Sequence, residues 1–149
     1  MKYNLRSIRK KDKNFIYNVK KSSIYNYVKK IWGWDEEYQK KDFESDFNLK
    51  DFKIIVVNDK DIGFIQIHKT DSNVNITEIH ITSKYHGYGI GRDIINNIID
   101  EALAKSKTIT IGCFINNIRG KSLYERLGFE VVNKTSTHYE MKYSNECIK

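Results

Sequence analysis

Short runs of β-branched and aromatic residues alternate along this chain with longer stretches whose apolar positions recur every three or four residues. The first kind suits a pleated, half-buried strand and the second an amphipathic helix. Strands are predicted at Tyr3 to Arg9, Lys53 to Asn58, Gly63 to Lys69, Val74 to Thr82, Thr108 to Phe114, Phe129 to Lys134 and Thr137 to Tyr143. Helices are predicted at Asp12 to Lys30, Glu36 to Phe47, Gly89 to Ser106 and Ile118 to Leu127. In the third helix Ile94, Ile95, Ile98, Ile99, Ala102 and Leu103 form one apolar face. Asn58-Asp59-Lys60-Asp61 is polar enough for a hairpin turn, and Gly128 stands where a C-capping glycine ends the last helix. With no proline, repeat or low-complexity segment, the 149 residues read as one continuous α/β alternation and one domain over 1–149.

The junction between the fourth strand and the third helix, His86-Gly87-Tyr88-Gly89-Ile90-Gly91-Arg92, carries three glycines in five positions. At a helix N-terminus the first N–H groups lack intrahelical partners and the macrodipole is positive, so an anion satisfies both. Glycine takes left-handed angles and lets phosphate oxygens approach without meeting a Cβ. A phosphorylated ligand is the first inference. The spacing is neither that of a P-loop nor Gly-x-Gly-x-x-Gly. A glycine-rich turn of purely structural purpose remains the alternative for this loop taken alone.

The segment resembles motif A of the GCN5-related N-acetyltransferase (GNAT) family, whose loop Arg/Gln-x-x-Gly-x-Gly/Ala grips the pyrophosphate of coenzyme A; here it reads His86-Gly87-Tyr88-Gly89-Ile90-Gly91. Further on, Asn117-Ile118-Arg119-Gly120-Lys121-Ser122-Leu123-Tyr124-Glu125-Arg126-Leu127-Gly128-Phe129 resembles motif B, Asn-x-x-Ala-x-x-x-Tyr-x-x-x-Gly-Phe, with Gly120 where the family usually has Ala. The resemblance runs more loosely over nearly the whole chain. It implies an acyl-CoA N-acyltransferase fold: a mixed seven-stranded sheet with four helices, in which parallel strands four and five splay apart to admit the pantetheine arm. It also implies acetyl-CoA as cofactor and transfer of acetyl to a primary amine of a small molecule or peptide, by direct attack in a ternary complex. The competing reading is a catalytically silent acyl-CoA sensor.

Attack of an amine on an acetyl thioester needs an unprotonated amine, donors for the oxyanion and a proton for the departing thiolate. A tyrosine, with an ordinary pKa of about 10, can protonate an alkyl thiolate, and Tyr124 holds the position of the family's general acid. The alternative is that Tyr124 only packs its helix onto the sheet. By resemblance, main-chain groups of Ile79, His80 and Ile81 hold pantetheine and oxyanion. The loop residues His86, Gly87, Tyr88, Gly89, Ile90, Gly91 and Arg92, with Asn117, Tyr124 and Arg126, are the other cofactor contacts; Asn117 is equally an ordinary N-cap. For the base, Glu78 and His80 share a strand face by period-two alternation; the alternative is a surface Glu and a structural His. His86 replaces Arg or Gln with a shorter side chain. Cofactor binding is expected to survive, because backbone N–H groups do most of the phosphate work, but weakened and dependent on pH.

On the acceptor side, Trp32, Trp34 and Glu36 lie in Trp32-Gly33-Trp34-Asp35-Glu36-Glu37, between the first two helices. Aromatic faces beside carboxylates suit a cationic amine. The other reading packs the tryptophans into the helix junction, with Asp35 capping the second helix and Glu36 and Glu37 complementing its dipole.

Composition changes the picture little. With 40% hydrophobic and 30% charged residues the chain falls among globular proteins. The formal net charge of +7 comes from dispersed lysines and arginines, so a nucleic-acid partner is not expected. Cys113 and Cys147 form neither a disulfide framework nor a zinc spacing, so free thiols and no metal are expected. Cys113 is read as a small apolar strand residue, with a nucleophile in a double displacement as the alternative. The N-terminus has no signal-like apolar run and no stretch spans a membrane, so a cytoplasmic monomer or homodimer without membrane partners is expected.

Overall fold

A computed structural model of the chain describes residues 2–47 and 51–144; Cys147 lies outside them. Seven strands and four α-helices follow in the order β1 (Asn4–Ser7), α1 (Lys13–Trp32), α2 (Glu36–Asp46), β2 (Phe52–Val57), β3 (Lys60–Lys69), β4 (Asn73–Ile81), α3 (Ile90–Ala104), β5 (Thr108–Phe114), α4 (Ile118–Leu127), β6 (Phe129–Lys134) and β7 (His138–Tyr143). The strands form one mixed sheet in the order β1-β2-β3-β4-β5-β7-β6. Two compact units divide the chain: Met1–Gln66 with Ile79–Tyr88, and Ile67–Glu78 with Gly89–Lys149.

In the first unit β1, β2 and β3 pair antiparallel. The β2–β3 turn is tighter than the four polar residues suggest. Val57 pairs with Lys60, and only Asn58 (φ 51°) and Asp59 (φ 64°) make the turn, both left-handed as a two-residue hairpin of matching twist requires. Lys60 and Asp61 therefore already belong to β3, which starts three residues before the predicted Gly63. α1 runs two residues beyond Lys30, so Trp32 closes the helix and Gly33 (φ 79°) ends it. The core of this unit gathers Ile16 and Val19 of α1, Phe43 of α2, Phe52 and Ile54 of β2 and Phe64 of β3. Ring contacts run through Tyr17, Phe43, Phe47, Phe52 and Phe64 to His80, with centroids 5.1 to 5.7 Å apart. Arg6 on β1 bonds both oxygens of buried Asp12 at 2.9 Å and reaches Asp61 at 2.8 Å, fastening the chain before α1 to the sheet.

In the second unit β4 and β5 run parallel, and β7 joins β5 and β6 antiparallel. Val74, Ile76, Ile109, Ile111, Cys113 and Met141 are buried, as are Ile90, Ile94, Ile95, Ile99 and Ala102 of α3; of the stripe read from sequence, Ile98 is only half-buried and Leu103 is exposed, because both lie at its edge. The alternate residues of the paired strands are stitched by side chains: Thr108 Oγ1 donates to Asn73 Oδ1 (2.7 Å) and Thr110 Oγ1 to Asn75 Oδ1 (2.8 Å). The β4–β5 pairs run from Asn73↔Thr108 to Ile76↔Ile111 and then stop among the described residues, although β4 continues to Ile81 and β5 to Phe114.

Candidate active site

The glycine loop owes its shape to two left-handed residues, Gly87 (φ 84°) and Gly89 (φ 76°). A Cβ on Gly87 would meet nothing within 4 Å, so conformation rather than crowding calls for glycine there. Gly89 is the N-cap of α3, and its carbonyl accepts the N–H of Asp93 at 3.0 Å. The N–H groups of Ile90, Gly91 and Arg92 thus precede the first intrahelical bond, at the positive end of a 15-residue helix. Arg92 is exposed and folds back beside Gly89, with Nε 3.8 Å from Asp93 Oδ1. Tyr88 is exposed. His86, Gly87 and Tyr88 belong to the first unit, and Gly89 opens α3 in the second.

Just upstream, the end of β4 is held by its own unit. Thr82 N–H donates to Ile62 O at 2.9 Å, a 3-10 turn follows at Ser83–Tyr85, and His86 Nε2 lies 2.6 Å from Ile81 O, the distance at which a ring N–H donates to that carbonyl. The imidazole that stands in place of Arg or Gln is therefore engaged by its own backbone. Ile79, His80 and Ile81 are half-buried, and the His80 ring packs on Phe64 at 5.3 Å with Nε2 shielded from solvent. Glu78 is half-buried on β4 beyond the last β4–β5 pair.

In the second unit Asn117 caps α4: its Oδ1 accepts the Gly120 N–H at 3.0 Å. Tyr124 is buried, edge-on to Phe129, and burial pushes its hydroxyl well above the usual tyrosine range, with Cys113 adding to the shift. It keeps its proton at neutral pH. Burial raises the Cys113 thiol to about 11, which suits an apolar filler and not a thiolate nucleophile. Arg126 is exposed and donates to Ser122 Oγ at 3.0 Å.

The acceptor-side candidates separate. Trp34 Nε1 donates to Glu36 at 2.7 Å, Tyr17 OH donates to the same carboxylate at 3.0 Å, and Lys21 pairs with it at 2.8 Å. Lys21, then Trp34, then Tyr17 hold Glu36 down at about 2, and Lys21 also lies over the Trp34 ring. The cation that Trp34 and Glu36 attract is thus the chain's own. Asp35 caps α2 through Tyr38 N–H at 3.1 Å. Trp32 is 60% exposed, with Ile31 and Tyr38 also exposed in the same unit. Sequence reasoning missed Lys21 and Tyr17, which lie a helix away from Glu36 in sequence.

The family model described as "Acetyltransferase (GNAT) domain" matches residues 50–131. No curated protein matches the chain by sequence. Among solved structures, PaiA N-acetyltransferase from Thermoplasma acidophilum, in complex with coenzyme A, is 16% identical over 97% of this chain and 99% of its own, with a TM-score of 0.75. Arabidopsis thaliana Naa50 in complex with the bisubstrate analogue CoA-Ac-MVNAL is 19% identical over 97% and 99%, at 0.63. The ribosomal-protein-S18-alanine N-acetyltransferase of Escherichia coli is 18% identical over 95% and 93%, at 0.66. At these identities the likeness is one of fold.

Proposed function

Since the chain belongs to the GNAT family of acetyl-CoA-dependent N-acetyltransferases, we propose that it transfers acetyl to the primary amine of a peptide-like acceptor by direct attack in a ternary complex. The observation that carries the reading is the loop ahead of α3: two left-handed glycines and a helix N-terminus whose first three N–H groups precede any intrahelical bond. That cradle fits a pyrophosphate, and the lapse of β4–β5 pairing after Ile76 and Ile111 leaves β4 main-chain groups beyond the ladder to receive an extended arm. Gly87, Gly89, Ile90, Gly91 and Arg92 would hold the phosphates, and Ile79 to Ile81 the pantetheine. Acetyl-CoA, when bound, supplies an activated acyl group on a thiol leaving group.

The remaining work falls to side chains of this chain. Tyr124 is protonated at neutral pH and is the candidate donor to the departing thiolate. Glu78 and His80 are the candidates for accepting the amine's proton. Support for a peptide-like acceptor comes from the first unit: Glu36 and Trp34 are already engaged by Lys21, while Ile31, Trp32 and Tyr38 offer exposed apolar surface. Naa50 and the S18-alanine acetyltransferase, which share the fold, have peptide or protein acceptors by name.

The test is thiol release from acetyl-CoA across a panel of amines and peptides, with wild type and Tyr124→Phe side by side. Turnover on peptides with apolar leading residues, reduced on the order of 100-fold in the variant while CoA binding persists, is the expected result. Binding without turnover on any acceptor would identify a sensor instead.

A further inference from the structure

Gly63 lies inside β3 and is buried, yet its backbone is not left-handed, so conformation does not explain a glycine here. Space does. A Cβ at this position would overlap the His80 carbonyl oxygen and stand 3.0 Å from Ile81 Cα and 3.2 Å from the His80 carbonyl carbon. All three are backbone atoms, which cannot swing aside as a side-chain tip does. In a regular ladder, carbonyls point along the sheet and Cβ atoms stand out of it. The register of β3 against β2 breaks just here, from Ile55↔Gly63 to Val56↔Asp61, so Ile62 is an extra residue and β3 bends at Gly63, bringing the direction of its Cβ onto the His80 carbonyl. The His80–Ile81 peptide is trans, so its N–H points opposite to its C=O: with the carbonyl over Gly63, the Ile81 N–H is directed away from Gly63. The next two groups fix this orientation, the Ile81 carbonyl by the His86 ring at 2.6 Å and the Thr82 N–H by Ile62 O at 2.9 Å.

We propose that Gly63 is a positioning residue for acetyl transfer: by lacking a side chain at the β3 bulge it lets the His80 carbonyl close over it, and so leaves the Ile81 N–H facing the acetyl carbonyl. The inference rests on the acetyl-CoA reading above. It adds a residue that touches neither cofactor nor acceptor and that neither sequence motif contains.

Two measurements test it. Gly63→Ala is expected to lower kcat at least about tenfold, while the Kd for CoA, which has no acetyl carbonyl, changes less than about threefold. A folded Gly63→Ala enzyme with wild-type kcat overturns the proposal. The second uses ¹⁵N-labelled wild type and does not depend on the variant folding. Amides of Ile90 to Arg92 should shift equally with CoA and acetyl-CoA, whereas the Ile81 amide should respond to acetyl-CoA distinctly more. An Ile81 amide that moves alike with both ligands overturns the inference but leaves the cofactor reading standing. If neither ligand moves the loop amides, the acetyl-CoA reading fails and takes this inference with it.

Discussion

Gly120 departs from the family's usual Ala, and its neighbourhood gives the departure a meaning. A Cβ there would overlap the side-chain amide nitrogen of Asn117 and come within 3.0 Å of the capping oxygen. Asn117 and Gly120 are thus coupled: with glycine, the amide folds over the helix start as a cap. Gly120→Ala should gain up to about 1 kcal/mol of helix propensity and lose about as much cap, leaving the melting temperature nearly unchanged. The freed Asn117 amide should then tighten CoA binding, which titration calorimetry reads; an unchanged Kd would make Asn117 a cap only. At Asp12 the hydrogen bonds from Arg6 hold the carboxyl at about 2, below its ordinary 3.8. Because the folded-state value is the lower one, this stabilisation is complete above roughly pH 4 and is lost as pH falls toward 2. Asp12→Asn should cost about 1–3 kcal/mol at pH 6 in urea unfolding, and the gap to wild type should narrow by pH 3.

Among elements, the loop and α3 act as a unit. Gly89→Ala would force an L-residue to φ 76° and bring a Cβ to 3.2 Å from Arg92 Nη2. A loss of about 1–2 kcal/mol is expected, with a drop in CoA affinity larger than Gly87→Ala causes, since only Gly89 sets the direction of the first helical N–H groups. Differential scanning fluorimetry with and without CoA checks both. Several elements were legible to the residue. β5, β6 and α4 begin and end where their patterns place them, because alternation and the Gly128 cap are local signals. The start of β3 and the end of α1 were not. Asn58 and Asp59 alone suffice for the turn, and α1 keeps its geometry until Gly33 stops it; neither limit is set by hydrophobic spacing.

At the scale of the whole molecule, a net charge of +7 invites a nucleic-acid partner, and the family membership points to an anionic cofactor instead. Acetyl-CoA at about 100 times its Kd should stabilise the fold by about 2.7 kcal/mol, and a good part of that should survive raised salt, whereas any stabilisation by an oligonucleotide should vanish. Among the described residues no helix is long and apolar enough to cross a membrane. The sequence by itself determined the elements, the glycine loop and the two motifs, because capping, left-handed turns and apolar periodicity are written in neighbouring residues. It placed Tyr124, Asn117 and the loop on their elements. Only the tertiary structure decided that Glu36 and Trp34 are occupied by Lys21, that His86 is engaged by Ile81, and that Gly63 makes room for the His80 carbonyl. Of these, the Lys21 and Gly63 contacts join residues far apart in the chain. The His86 bond spans five residues but follows from the path of a turn. The long-range contacts depend on how strands and helices pack, and the His86 bond on the folded path of the turn; neither is encoded in the hydrophobic pattern.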